Sequence, residues 1–366
     1  MELLSQIALA MTPGLGPTQL RRLVACFPGQ DIFSLPPTEL RAAFGTHVAV
    51  AESIISRAAF PRAEEELRYC ERHNIRPLFF TQPEFPTRLN REECYDSPAL
   101  LYVLGAADLN AERTVSIVGT RRATAVGRDN THDIVRQLQP LSPTIVSGLA
   151  YGIDTAAHQA ALQQSLPTVA VLGHGLDRIY PPANRQLAAD IVSAGGALVT
   201  EYPSGTAIKA GQFPARNRII AALGDCTLVV EAKEKGGALI TAAIANSYCR
   251  DVFAVPGRLT DTYSRGTNSL IATNKAILLR SAADLAYQLG WPIPGQPAVQ
   301  QQMFPVFTPE EQTVVNLLQL NATLTLDELS VLSQYTMTHV AGVLFSLEMS
   351  KVVRQLPGHR YELVKA

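Results

Sequence analysis

Residues 115–124 read Val-Ser-Ile-Val-Gly-Thr-Arg-Arg-Ala-Thr, and the recurrence of that pattern decides the fold. A short apolar run ends near a glycine and gives way to a helix-compatible stretch. Comparable runs lie at Val115–Gly119, Thr144–Gly148, Thr168–Gly173, Ala197–Tyr202, Cys226–Ala232, Asp251–Gly257 and Ala276–Arg280. Continuous apolar strands alternating with helices predict a doubly wound, mostly parallel α/β sheet covered on both faces, over 111–290. Such sheets bind ligands outside the carboxyl ends of their strands. Gly119, Gly148, Gly173 and Gly257 close four of the runs, so one continuous site is expected along that edge.

The flanking segments read differently. Residues 1–110 carry helical patterns and a short mixed tail. Near the start, Thr12-Pro-Gly-Leu-Gly-Pro-Thr-Gln-Leu-Arg-Arg-Leu fits a helix-hairpin-helix (SAM-like) domain, whose turn aims backbone N–H groups at a phosphate. A plain helical hairpin is the alternative. Residues 291–307 are rich in Pro and Gln and predict a linker. In 308–366, helical patterns over 309–320, 327–333 and 336–349 precede two short strands about Pro357-Gly358, which predicts a winged-helix-like domain. The third of these helices holds no Lys or Arg, whereas major-groove reading uses Arg, Lys, Asn or Gln. A protein-contact or structural role is therefore expected of the tail.

The chain has 366 residues, 47% apolar and 17% charged, with a net charge of -1. That supports two or three cored domains and excludes a uniformly basic nucleic-acid binder. Positive charge is nevertheless concentrated: residues 112–290 carry net +4, against -3 before and -2 after. An anionic polymer should bind the middle segment. The five cysteines have no C-x-x-C spacing, which argues against a zinc site or a disulfide scaffold and for reduced thiols in a cytoplasmic protein. No apolar run reaches the roughly 18–20 residues of a membrane span. Glu2, with no basic stretch around it, argues against a signal peptide.

Four motifs carry the candidate site. After the first strand, Gly119-Thr-Arg-Arg is not a dinucleotide fingerprint. It does place Arg121 and Arg122 at a helix start that favours anions. After the second, Ser147-Gly-Leu-Ala-Tyr-Gly-Ile-Asp-Thr-Ala-Ala-His contains Gly148 and Gly152. Its Asp154 reads as an N-cap with His158 as a helix-face partner, not as a catalytic pair. After the third, Gly173 and Gly175 allow close backbone approach, and Tyr180 before two prolines reads as packed. Finally, Lys209 precedes Phe213-Pro-Ala-Arg-Asn-Arg. Cations and an aromatic at one helix start suit sequence-independent binding of single strands. Arg216, Asn217 and Arg218 belong to this run, with one arginine expected to pair with an internal acid such as Glu201 or Glu231. Gly236 and Gly237, before another helix, form a further backbone anion site. No catalytic residue, metal site or cofactor is expected.

Taken in this order, the runs resemble the DNA processing protein A (DprA/Smf) family. They are Ile117-Val-Gly-Thr-Arg, Ser147-Gly-Leu-Ala-Tyr-Gly-Ile-Asp with Ala157-His, Gly175-Leu-Asp with Tyr180-Pro, Thr200-Glu-Tyr, Phe213-Pro-Ala-Arg-Asn-Arg-Ile-Ile, Glu231-Ala with Gly237, and Val255-Pro-Gly with Gly266-Thr-Asn. The resemblance implies an extended Rossmann-like domain between a helical domain and a winged helix. It further implies a non-catalytic, single-stranded DNA-binding protein of natural transformation. Such a protein protects incoming strands, loads the RecA recombinase past single-strand binding protein, and forms a homodimer. The family's phosphate-binding Arg falls on Arg121, its stacking aromatic on Phe213 and its lysine near Lys209, one residue out of the usual spacing. Its dimer contact falls on Ile277 and Asn268, in the last helix and strand, where an apolar sheet edge needs covering. Ile277 as an internal sheet residue is the alternative. Asn274-Lys275 and His174 depart from the family pattern. The runner-up function is an enzyme similar to the nucleoside monophosphate phosphoribohydrolases. Their Pro-Gly-Gly-x-Gly-Thr loop corresponds here to Lys235-Gly-Gly-Ala-Leu-Ile-Thr, which lacks the third glycine and the following acid.

Overall fold

The computed structural model describes residues 1–45, 48–292, 307–321, 323–350, 352–356 and 360–363. The chain divides into two compact units, Met1–Gly295 and Gln296–Ala366.

The first unit is built on a nine-stranded sheet. In chain order its strands are β1 (Ile75–Phe79), β2 (Leu100–Gly105), β3 (Thr114–Val118), β4 (Thr144–Ser147), β5 (Thr168–Leu172), β6 (Ala197–Thr200), β7 (Cys226–Val229), β8 (Asp251–Ala254) and β9 (Ile277–Leu278). They lie side by side as β1-β2-β6-β5-β4-β3-β7-β8-β9. The strands from β6 to β9 in that order pair in parallel, as in Ser116 opposite Thr227 and Val146 opposite Val169. β1 and β2 add on antiparallel, with Tyr102 opposite Thr200.

Alternation explains the two covered faces. Val118, Val146 and Val229 pack toward Ile219 and Ala222 of the helix Gln212–Leu223 and Ala242 of the helix Gly237–Ser247. Val115, Ile117 and Leu228 point the other way, toward Val135 of the helix Ala125–Leu138 and Ala157 of the helix Ile153–Gln163. Every residue of β3, β4, β5 and β7 is buried, as an all-round apolar strand requires.

The boundary expected at 110 does not divide the structure. The helices of 1–72 pack on β1 and β2 through Ile7, Leu20, Phe79 and Tyr102. β2 then joins the main sheet, because β6 would otherwise leave an unpaired edge there. The hairpin-like turn near Thr12 also changes meaning. Arg21 donates to Asn90 Oδ1 at 2.9 Å and to the Pro98 carbonyl at 2.7 Å, and lies 4.6 Å from the Phe80 ring centre. It ties the helix Pro17–Cys26 to the sheet, and only Arg22 of the pair stays exposed.

The second unit holds helices Pro309–Leu320, Leu326–Ser333 and Met337–Met349 and a three-stranded sheet, with β10 (Leu324–Thr325), β11 (Val353–Leu356) and β12 (Arg360–Leu363). Two capping boxes, Thr308 with Glu311 and Thr325 with Glu328, start the first two helices. The third presents Met337, Phe345 and Met349 to solvent, an apolar face rather than a basic one. Most of the expected linker, 293–306, lies outside the described residues. No helix among the described residues is long and apolar enough to cross a membrane.

Candidate nucleic-acid interface

Strand order reverses beside β3. The chain runs outward through β4, β5 and β6, then returns so that β7 pairs with the other side of β3. At such a switch point the connections leave in opposite directions and open a crevice at the carboxyl ends. A cavity of about 320 Å³ lies there, lined by Gly119 and Arg121 after β3, Asp154 after β4, Arg216, and Lys235 and Gly237 after β7. Beside it is an aromatic hollow lined by Arg121, Tyr151, Gly173, Tyr180 and Phe213.

Arg121 and Phe213 come together although 92 positions separate them in the sequence. The Arg121 guanidinium lies 5.5 Å from the Phe213 ring centre, and the Tyr180 ring is 5.6 Å from Phe213. Arg121 and Arg122 are exposed, Phe213 is half-buried, and Lys209 is exposed upstream of the same helix. Tyr180, expected to be packed, is 44% exposed. This is an edge with free cations next to exposed π-faces.

The two arginines after Phe213 are both committed internally, where only one was expected to be. Arg218 makes an ion pair with Glu201 at 2.5 Å. Arg216 is 4% exposed and donates from Nη1 to the carbonyls of Gly148, at 2.6 Å, and Val171. Burial lowers its pKa to about 10. Glu231 takes neither arginine, because it accepts from the Thr124 backbone N–H at 3.0 Å and hydroxyl at 2.6 Å. Asn217 reaches from this helix toward the Gly237 carbonyl at 3.4 Å.

The glycines also divide. At Gly119 a Cβ would stand 2.4 Å from Ile153, and at Gly148 2.6 Å from the Arg216 guanidinium. Gly152, with φ of +81°, would meet the Thr120 carbonyl oxygen at 2.2 Å, and Gly175 the Pro203 carbonyl oxygen at 2.5 Å. Gly173 would press on Phe213 at 3.2 Å. At Gly119, Gly148, Gly152 and Gly175 the chain's own packing already accounts for glycine, whereas at Gly173 a side chain would need Phe213 to give by a few tenths of an ångström. Over Gly236 and Gly237 nothing lies within 4 Å.

Two further expectations shift. The helix after β4 is N-capped by Gly152, so Asp154 sits in its first turn rather than at the cap. Burial raises the Asp154 carboxyl pKa, partly offset by Arg216. His158 bonds not to Asp154 but to Thr168 Oγ1 at 2.7 Å. Asn268 closes on the backbone of Gly257, 3.1 Å to its nitrogen and 2.9 Å to its oxygen. That amide secures the loop after β8 and is spent within the chain. Ile277, by contrast, lies on the edge strand β9 and is 37% exposed. Sequence reasoning missed Tyr151, Asp154, Lys233 and Lys235 as lining residues. The two lysines had a local signal, since they stand just ahead of Gly236-Gly237.

A model of the DNA recombination-mediator protein A family matches residues 76–290, and one of the DprA winged helix domain matches 296–359. Protein Smf of Synechocystis is 34% identical over 97% of both chains. DNA processing protein DprA of Streptococcus pneumoniae is 43% identical over 53% of this chain and 67% of that one. The crystal structure of the S. pneumoniae protein superposes with a TM-score of 0.66 at 32% identity, covering 78% of this chain and 97% of the other. A structure of DNA processing protein A from Helicobacter pylori, described for its single-stranded DNA binding mode, gives 0.52 at 30% identity over 59% and 95%.

Proposed function

This chain belongs to the DNA processing protein A (DprA/Smf) family of DNA recombination mediators, and on that premise we propose that it binds single-stranded DNA without sequence preference along the carboxyl edge of its parallel sheet. The observation that carries this reading is the exposed Arg121 guanidinium set 5.5 Å from the Phe213 ring centre, with Tyr180 alongside. A cation neutralises a phosphate while a neighbouring ring takes a base, and every base has a π-face to offer. Arg122, Lys209, Lys233 and Lys235 extend the positive edge. Gly236 and Gly237 add unobstructed backbone N–H groups at a helix start. In this reading the bound strand is protected and passed to the RecA recombinase past single-strand binding protein, in the cytoplasm. The chain performs no catalysis and acts as a homodimer through the β9 edge.

A gel-shift series tests the binding. Oligothymidine should bind more tightly than duplex of equal length. Affinity should fall with salt along a log–log slope of about -0.7 per phosphate contacted. A flat salt response, or tighter binding of duplex, would reject the reading.

A further inference from the structure

The cavity at the β3–β7 switch point holds more positive charge than the chain balances. Arg216 is 4% exposed, yet its Nη2 makes no hydrogen bond among the described residues and no carboxylate forms an ion pair with it. Its Nη1 bonds go to neutral carbonyls and its Nε donates to Asn217 Oδ1, so the buried charge is offset only through space, by Asp154, and a buried charge without a hydrogen-bonded counter-ion is costly. Arg121, Lys233 and Lys235 line the same cavity, with Asp154 as its lining acid. The helix Gly237–Ser247 opens into it with no side-chain cap. Gly236 has an extended backbone, φ of -176°, and both glycines face open space. Nothing among the described residues crowds a side chain at either position, although Ser, Asn or Asp would cap the helix better than Gly236 does.

We propose that this cavity takes the terminal phosphomonoester of a nucleotide, the phosphate at the start of the Gly237–Ser247 helix between Arg216 and the two lysines, so that a strand is engaged by its phosphorylated end. The assignment rests on the single-strand reading for the remainder of the strand. A monoester brings two charges and three free oxygens, against one charge and two oxygens for an internal phosphodiester. An internal linkage would also have to carry both flanking nucleotides down to Arg216, which is nine-tenths buried. The cavity of about 320 Å³ is at the lower end of small-ligand sites and accepts one nucleotide, not three. The same chemistry is offered by the end of a strand and by a free mononucleotide.

Titration calorimetry on the full chain separates these. The probes are dodecathymidine with a 5′-phosphate, with a 3′-phosphate or with neither, and thymidine 5′-monophosphate, thymidine and inorganic phosphate. At least one terminal phosphate should tighten the 12-mer about tenfold, or thymidine 5′-monophosphate should bind where thymidine does not. The first result identifies a strand end and the second a free nucleotide. Gly236→Leu fits the extended backbone and the open space, so it should fold, with a melting temperature lowered only by the poorer helix cap. It should remove the phosphate-dependent gain, so that the phosphorylated and unphosphorylated 12-mers bind this variant equally. A gain that survives Gly236→Leu, or no phosphate dependence in any probe, overturns the inference and leaves single-strand binding standing. Inorganic phosphate competing as well as the nucleotide overturns the nucleotide assignment. Thymidine 5′-monophosphate binding with no 12-mer binding at all upholds the cavity and rejects the single-strand reading.

Discussion

Arg121 and Arg216 both follow glycine-bearing or aromatic runs that read as phosphate sites, but the fold spends them differently. Arg121 is exposed beside Phe213, so its charge is available at little desolvation cost. Arg121→Ala should weaken binding to all oligonucleotide sequences alike and lower the salt slope by about one contact, as measured by salt-titrated anisotropy. Phe213→Ala should cost about 1–3 kcal/mol of affinity if a base stacks there, with the melting temperature unchanged. A lower melting temperature at unchanged affinity would make Phe213 a packing residue. His158 is a different case. Thr168 Oγ1 donates to the Ile145 carbonyl, so it must accept from His158 Nδ1–H, and Nε2 is buried without a partner. Burial lowers this imidazole from its usual 6.5 to about 3. The unfolded chain therefore binds a proton below pH 6.5 that the folded chain refuses. Stability falls as pH drops from 6.5 toward about 3, by at most about 1.4 kcal/mol per unit. Urea melts at pH 7.5 and 5 should show a steeper loss in the parent than in His158→Gln. Equal slopes would mean that this ring does not titrate as described.

At the scale of the element, β9 decides how the sheet ends. Its two residues pair with β8 alone, Phe253 opposite Ile277 and Ala254 opposite Leu278, and both side chains are more than a third exposed. A short apolar edge with a free ladder is a place for a second copy to dock. Two joined grooves would then hold one long strand with added avidity. Ile277→Arg should give a folded monomer by light scattering that binds short oligonucleotides normally and long ones without cooperativity. A persistent dimer would place the interface elsewhere, and an unfolded product would mean that the edge is needed for the fold itself. Strand and helix positions were legible because each reports its own burial. The seven runs of 115–280 became β3 to β9, and the tail helices began at their Thr caps. The roles of Gly148 and Gly152 were not legible. What a missing side chain leaves room for depends on Arg216 and Thr120, which only folding brings near.

For the whole molecule, Met1–Gly295 is one compact unit that contains the entire candidate interface. The helix Met337–Met349 of the second unit exposes methionine and phenylalanine rather than cations. Truncation after Gly295 should therefore keep oligonucleotide affinity within tenfold, about 1.4 kcal/mol, in a filter-binding or anisotropy assay. A larger loss would give the tail a direct part in binding. Local pattern alone was enough for the alternating α/β architecture and for the sheet edge on which the candidate site was expected. Apolar runs of five to seven residues must be buried on both faces, and their following turns must gather at one end. The same patterning was enough for the winged-helix tail, through its three helical stretches and the short strands about Pro357-Gly358. Packing in three dimensions settled that β1 and β2 extend the main sheet, because strand pairing depends on which edge is left open. It alone decided which charges stay free. Arg218 meets Glu201 17 positions away, and Arg216 bonds carbonyls 45 and 68 positions away. The cost of a buried charge is set by neighbours that chain topology, not local sequence, brings within reach.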